Sequence, residues 1–258
     1  MCRWMSYIGK SVFLDELLYQ PAHSLVSQSK DAVKAVTTVN ADGFGLAWYG
    51  EKATPATYHE ILPAWADKNL KSIAEHTRSA CFLGHVRAST GATTSRENCH
   101  PFTWSKWSFM HNGQIPHFDT LRMGLERQLK EEWYLLRRGT TDSELLFLLL
   151  LQNGLDANPR QAMVETLSIV EQAMASKNID EPFKACIALS NGNKIFGVRY
   201  SSDSKPPTLF YKTTPDAVVM ASEPFDENRS GWRSVSPQSF LEISESDVKV
   251  TALSDLND

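Results

Sequence analysis

The sequence predicts an α+β fold of two β-sheets packed face to face and covered by helices. Strand-like patterns occupy both ends of the chain, helical patterns are grouped between them, and no strand–helix alternation of a doubly wound parallel sheet runs through the whole. The chain has 258 residues, 42% of them hydrophobic and 22% charged, which is enough to bury a large core. It contains no repeat, low-complexity tract or linker, so residues 2–258 are read as one domain.

Each element has its own local signal. Residues 2–8 read as a short strand, and 13–19 as a short helix punctuated by Pro21. Asn40-Ala41-Asp42-Gly43 are turn formers, and the aromatic-rich run 44–50 that follows is a buried strand. Its glycines lack the spacing of a phosphate loop. Apolar residues at helical spacing cover 65–77, and 80–86 is a core strand running into Arg87, whose charge needs a partner if buried. The stretch 88–100, rich in Ser, Thr, Gly and Asn, reads as a loop. A strand at 107–110 ends in His111-Asn112-Gly113, read as a tight turn with exposed amides.

Residues 121–136 are helical in pattern. Thr141-Asp142-Ser143-Glu144 has the form of a capping box before the apolar run 145–151, so a helix starts there, and another covers 160–175. From residue 183 the period becomes two. Strands 184–190 and 194–200 flank Asn191-Gly192-Asn193, a hairpin signal, and 208–212, 217–221, 240–243 and 248–253 are further strands. The stretches 201–207 and 224–237 are polar interruptions.

The totals exclude several classes. A net charge of -4 supplies no general attraction for nucleic acid or an acidic membrane. No apolar run is long enough for a signal peptide or a membrane span. Cys2, Cys81, Cys99 and Cys186 in a chain of this size read as reduced thiols, which implies the cytoplasm. Cys81, Cys99, His85 and His100 lack metal-ligand spacing, so neither metal nor other cofactor is expected.

The chemistry points to Cys2. Removal of Met1 would leave one residue carrying a thiol and a free amine, nucleophile and base together. A thiol near pKa 8.5 is mostly protonated at neutrality, whereas an α-amine titrating at about 7.7–8.0 can take its proton. With Met1 retained, that nitrogen would be an amide and useless as a base.

Six motifs carry a resemblance: Met1-Cys2-Arg3, Asn40 through Gly45, Gly84-His85-Val86-Arg87-Ala88-Ser89-Thr90, Asn98-Cys99-His100-Pro101-Phe102, His111-Asn112-Gly113, and Thr140-Thr141-Asp142-Ser143-Glu144. In this order the chain resembles the class II glutamine amidotransferases, N-terminal-nucleophile hydrolases. The resemblance implies a four-layer αββα sandwich and hydrolysis of the γ-amide of glutamine or a γ-glutamyl compound. It casts Cys2 as nucleophile, Asn112 and Gly113 as oxyanion donors, Arg87 as the clamp on the substrate α-carboxylate and Asp142 as partner of its α-ammonium. Ser89, Thr90 and His111 fall in the substrate-binding motifs. The chain departs from many members at Ala88 and Gly91, where an aromatic residue and a His are usual, which alters the loop around the substrate.

Pro21-Ala22-His23-Ser24, Ala221-Ser222-Glu223-Pro224 and Trp232 further resemble a stand-alone subgroup acting on γ-glutamyl compounds in fungal glutathione degradation and ergothioneine synthesis. No role for Ser222 or Glu223 follows from the sequence. Only about 100 residues follow the Asp142 motif, too few for a synthase domain. The alternatives are a glutaminase subunit serving a separate ammonia-using synthase or working beside a peptidase subunit, and, with Met1 retained, a non-catalytic γ-glutamyl-binding protein.

Overall fold

Strand β1 (Arg3–Phe13) sits inside a sheet, and its side chains alternate between two cores. Met5 and Tyr7 face one way, Trp4 and Ile8 the other, as the two-residue period of a strand requires. The computed structural model describes residues 2–30, 41–88, 93–226, 229–245 and 247–254.

Among the described residues the first sheet has seven antiparallel strands. It comprises β1, β2 (Phe44–Tyr49), β3 (Ala56–Glu60), β4 (Arg78–Val86), β9 (Phe210–Thr214), β10 (Ala217–Ala221) and β11 (Trp232–Ser234). Its order is β11-β9-β10-β1-β4-β2-β3. The second has six, in the order β13-β12-β8-β7-β6-β5. Its members are β5 (Phe102–Trp104), β6 (Trp107–Gln114), β7 (Lys184–Ser190), β8 (Ile195–Ser201), β12 (Ser239–Ile243) and β13 (Val248–Ala252). The helices are α1 (Asp15–Leu18), α2 (Leu25–Lys30), α3 (Lys68–His76), α4 (Phe118–Glu126), α5 (Glu131–Tyr134), α6 (Asp142–Gln152) and α7 (Pro159–Ala175).

Three apolar clusters correspond to three interfaces between four layers. One joins the first sheet to α1, α2 and α3 through residues such as Leu18, Leu25, Leu70 and Phe82. A second lies between the sheets, where Trp4, Leu83, Met110, Ala188, Met220 and Leu241 meet. The third packs α4, α6 and α7 on the second sheet. This is the αββα sandwich. Helix α6 is buried from Ser143 to Leu151, as expected for a helix apolar on every side. No helix among the described residues is long and apolar enough to cross a membrane.

Several elements differ from the sequence reading. The strand read at 2–8 continues to Phe13, and α2, β3, β5 and β11 were not anticipated. Each of these four is short, between three and six residues. The pattern at 121–136 divides into α4 and α5, because Lys130 is extended (φ -63°, ψ 153°) and its N–H donates to the Gln152 side chain instead of a preceding turn. His111-Asn112-Gly113 is not a turn. It lies within β6, paired residue for residue with Ile187, Cys186 and Ala185 of β7.

Candidate active site

Antiparallel pairing of β1 with β4 sets Arg3 opposite Val86, so the chain start emerges beside Arg87-Ala88. The Cys2 thiol donates to the Ala88 carbonyl and its Sγ accepts from the Ala88 N–H, both at 3.4 Å. Burial pushes the Cys2 thiol above its ordinary value; the Ala88 bond and the Arg87 charge act the other way.

Arg87 is buried, 4% exposed. Its N–H donates to the Gly43 carbonyl at 2.8 Å, and its guanidinium reaches the Asp42 and Thr93 carbonyls at 3.4 Å each. The turn at 41–43 thus sets one carbonyl, that of Asp42, against the cation, and Thr93 supplies another. Gly43 has φ +105° and leaves no room for a Cβ, which would fall 2.8 Å from both Cys99 Sγ and the Glu60 carbonyl.

From the second sheet, the even-numbered residues of β6 face the inter-sheet space. Asn112 donates from Nδ2 to the Cys2 carbonyl at 3.0 Å, a contact that fixes which end of the carboxamide carries nitrogen. The next residue must be glycine, since a Cβ on Gly113 would lie 1.9 Å from the Lys184 carbonyl oxygen.

Asp142 opens α6. Its Oδ2 accepts from the Ile115 N–H at 2.9 Å and its Oδ1 from the Ser143 N–H at 2.7 Å. His111 is buried with Nε2 3.3 Å from the Lys184 carbonyl and Nδ1 2.9 Å from Ser143 Oγ. A carbonyl only accepts, so Nε2 carries a proton, and Ser143 Oγ, which also donates to Asp142 Oδ1 at 3.2 Å, bridges the imidazole and the carboxylate. Burial lowers the His111 pKa, with Asp142 opposing.

The capping box forms by half. Thr141 Oγ1 accepts from the Glu144 N–H at 3.2 Å, but the Glu144 carboxylate turns to the N–H groups of Arg138 and Gly139, at 2.8 Å each. Asn98 ties the same loop to the segment after Arg87, donating to Thr93 O at 2.8 Å and accepting from the Thr140 N–H at 2.8 Å.

Cys2, Arg87, His111, Gly113 and Asp142 line one cavity of about 440 Å³, with Asn112 behind Cys2. The structure thus brings together every candidate residue it describes; Ser89 and Thr90 lie outside the described residues. A second cavity of about 440 Å³, lined in part by Trp107, Arg160, Lys194 and Glu242, contains none of them. Among the described residues no group of three His, Cys, Asp or Glu side chains is placed to hold a metal ion.

Two features adjoin the site without a catalytic role assigned from the sequence. Arg3 and Glu223 form a buried ion pair at 2.8 Å, and Ser222 bonds both main-chain groups of Trp4. His85 and His100 lie with ring centroids 4.4 Å apart and planes tilted by 33°, and their ring nitrogens have no hydrogen-bond partner among the described residues. Burial above all, then the Arg87 charge, lowers the His85 pKa to about 3.

Residues 20–229 match the sequence profile of the glutamine amidotransferases class-II. The chain is 33% identical to the probable glutamine amidotransferase DUG3 of Saccharomyces cerevisiae, over 94% of this chain and 82% of the relative. It is 26% identical to the gamma-glutamyl-hercynylcysteine sulfoxide hydrolase of Mycolicibacterium smegmatis, over 98% of this chain and 100% of the relative. A glutamine aminotransferase class-II domain protein from Silicibacter pomeroyi superposes with a TM-score of 0.77 at 30% identity, covering 97% of this chain and 99% of that one. The glutamine phosphoribosylpyrophosphate amidotransferase of B. subtilis shares the fold, with a TM-score of 0.69 at 18% identity over 98% of this chain and 49% of that one. The profile match, the full-length relatives and the fold agree: this chain belongs to the class II glutamine amidotransferases.

Proposed function

We propose that this enzyme hydrolyses the γ-amide bond of glutamine or a γ-glutamyl compound through a thioester on Cys2. The observation that carries the reading is the convergence on one cavity of Cys2, Arg87, Gly113 and Asp142, with Asn112 Nδ2 3.0 Å from the Cys2 carbonyl.

Each step follows from the chemistry of these groups. Burial disfavours the free thiolate, so attack needs a base at hand. Once Met1 is removed, the Cys2 amine takes the thiol proton while Sγ attacks the γ-carbonyl carbon. The oxyanion receives N–H donors from the Asn112 side chain and the Gly113 main chain; one such donor is typically worth about 10²–10³ in rate. The tetrahedral intermediate collapses, the amine proton passes to the leaving nitrogen, and water then cleaves the thioester to release glutamate. Arg87 grips the α-carboxylate with its planar fork and Asp142 pairs with the α-ammonium. Both are already held by main-chain partners, which limits the ordering cost of binding. His111 contacts Ser143 beside Asp142, and Ser89 and Thr90 are assigned to substrate binding. The reading takes residues 2–258 as one domain, working in the cytoplasm on a small-molecule substrate without a cofactor.

The hydrolase relatives, 26% to 28% identical, favour a γ-glutamyl compound over free glutamine. The yeast relative, by its name a probable glutamine amidotransferase, favours glutamine as the substrate, the premise of the second reading, a glutaminase subunit that delivers ammonia to a separate synthase. Glutamate release from glutamine and from a panel of γ-glutamyl dipeptides, by the wild type and by Cys2→Ala, separates the two. Dipeptides turned over with higher kcat/KM than glutamine support the hydrolase. Glutamine preferred throughout supports the glutaminase subunit, and equal turnover by Cys2→Ala contradicts both.

A further inference from the structure

Ser222 and Glu223 follow directly on β10, the neighbour of β1, and the two residues hold the chain start from the side. Ser222 extends the strand pairing with its side chain: Trp4 N–H donates to Ser222 Oγ at 3.1 Å, and the Ser222 N–H and hydroxyl both donate to the Trp4 carbonyl, at 3.1 and 3.3 Å. One residue further, Glu223 Oε2 accepts from Arg3 Nε at 2.8 Å, with side chains 8% and 3% exposed. Arg3 Nη1 then donates to the Cys2 carbonyl at 3.1 Å. That same oxygen accepts Asn112 Nδ2 at 3.0 Å.

We propose that Glu223 is a positioning residue for Cys2, acting through Arg3, which ties the nucleophile and the oxyanion donor to one shared carbonyl. The proposal rests on the reading of Cys2 as nucleophile. With two donors the carbonyl's two lone pairs are both engaged, so the Cys2–Arg3 peptide plane is held, and the backbone from which Sγ projects stays in register with the Ala88 contacts of Sγ at 3.4 Å. The Asn112 carboxamide is fixed too: one Nδ2 hydrogen rests on Cys2 and the other is left for the developing oxyanion. A guanidinium suits this duty because its fork serves a carboxylate and a carbonyl at once, which an ammonium on a flexible stem does not do in a fixed geometry.

The same relay sets the local charge. Among the described residues, the charged and titratable groups near Cys2 include the cations Arg3 and Arg87, the carboxylates Glu223 and Asp142, the Cys99 thiol, and the imidazoles His100 and His111, whose pKa values burial lowers; Arg122, Asp119 and His117 line the same cavity. Glu223→Gln keeps the shape and removes one negative charge beside Arg3. The balance at Cys2 becomes more positive, which favours the thiolate and the neutral amine.

The test compares wild type, Glu223→Gln and Arg3→Lys by kcat, KM and the pH dependence of kcat/KM on a γ-glutamyl substrate. Glu223→Gln is expected to lower kcat by about 10- to 100-fold, the scale of a misplaced reacting group. KM stays within about threefold because Arg87 and Asp142 are untouched. The acidic limb of its pH profile moves down by about half a unit. Arg3→Lys keeps a charge pair with Glu223 and is expected to lose kcat similarly without moving that limb; it also carries the test if Glu223→Gln does not fold. Both variants within twofold of wild type in kcat, with unchanged pH profiles, overturn the positioning role while leaving the nucleophile in place. A wild type that neither turns over the substrate nor reacts at Cys2 with a glutamine-analogue electrophile overturns the nucleophile reading, and this role with it.

Discussion

At Arg87 a buried cation is stable because the carbonyls of Asp42 and Thr93 close around its guanidinium. The planar head is thereby aimed before substrate arrives. Replacing it by Lys keeps the charge and loses the fork, so Arg87→Lys is expected to raise KM by roughly 10- to 150-fold, the equivalent of about 1.5–3 kcal/mol for a charge-assisted bond, with kcat changed little. Steady-state kinetics checks this, and an unchanged KM would refute the clamp. Gly113→Ala is a sharper probe, since the added Cβ would sit 1.9 Å from the Lys184 carbonyl and 2.5 Å from His111 Nε2. The strand must shift, and kcat is expected to fall by about 100-fold as the oxyanion amide moves; activity within a few-fold of wild type would show that this amide is not used. Cys2, Arg87, Asn112 and Asp142 were singled out in the sequence by residue type and motif, and the structure brings them together around one cavity. Glu223 had no role assigned from the sequence. Its meaning depends on an ion pair with Arg3, 220 residues away, which only the pairing of β1 with β10 creates.

Element by element, legibility followed length and burial. Helix α6, with seven apolar residues in a row from Leu145 to Leu151 behind the Thr141 cap, and the hairpin of β7 and β8 around Asn191-Gly192-Asn193 carry strong local signals and form as read. The edge strands β3, β5 and β11 are short, and stabilisation there comes from a neighbouring strand instead of local pattern. His111-Asn112-Gly113 misled for a related reason: Asn-Gly reads as a turn, but β7 alongside keeps the segment extended through Gln114. That extension carries Asn112 to Cys2. The start of α6 couples an element boundary to the site, because the cap on Thr141 orients Asp142 in the first turn. Thr141→Ala is expected to cost about 1 kcal/mol of stability in urea denaturation and to raise KM with it. A full loss of stability with no change in KM would show that the cap does not position Asp142.

Over the whole molecule the site lies where the two sheets meet at the chain start, so both sheets must form before Cys2 faces Asn112. The buried histidines give this arrangement a pH dependence. His85, His100 and His111 all have native pKa values below the ordinary 6.5, that of His85 at about 3, through burial and, for His85 and His100, the nearby Arg87 charge; Asp142 opposes the shift at His111. The native state thus binds protons later than the unfolded chain. Their contribution to stability is complete above about pH 6.5 and falls as the pH drops below it, by up to about 1.4 kcal/mol per pH unit for each histidine that stays neutral. Urea denaturation at pH 7.5, 6.0 and 5.0 should show the midpoint falling steadily, and a flat profile would mean that these imidazoles are solvated or paired in solution. The central claim, that Cys2 is the nucleophile of a γ-glutamyl pocket, is tested most directly by intact mass before and after treatment with 6-diazo-5-oxo-norleucine, with peptide mapping. The expected result is a chain lacking Met1 that gains a single adduct on Cys2. A chain that keeps Met1 and gains no adduct, or gains one on another residue, would contradict it.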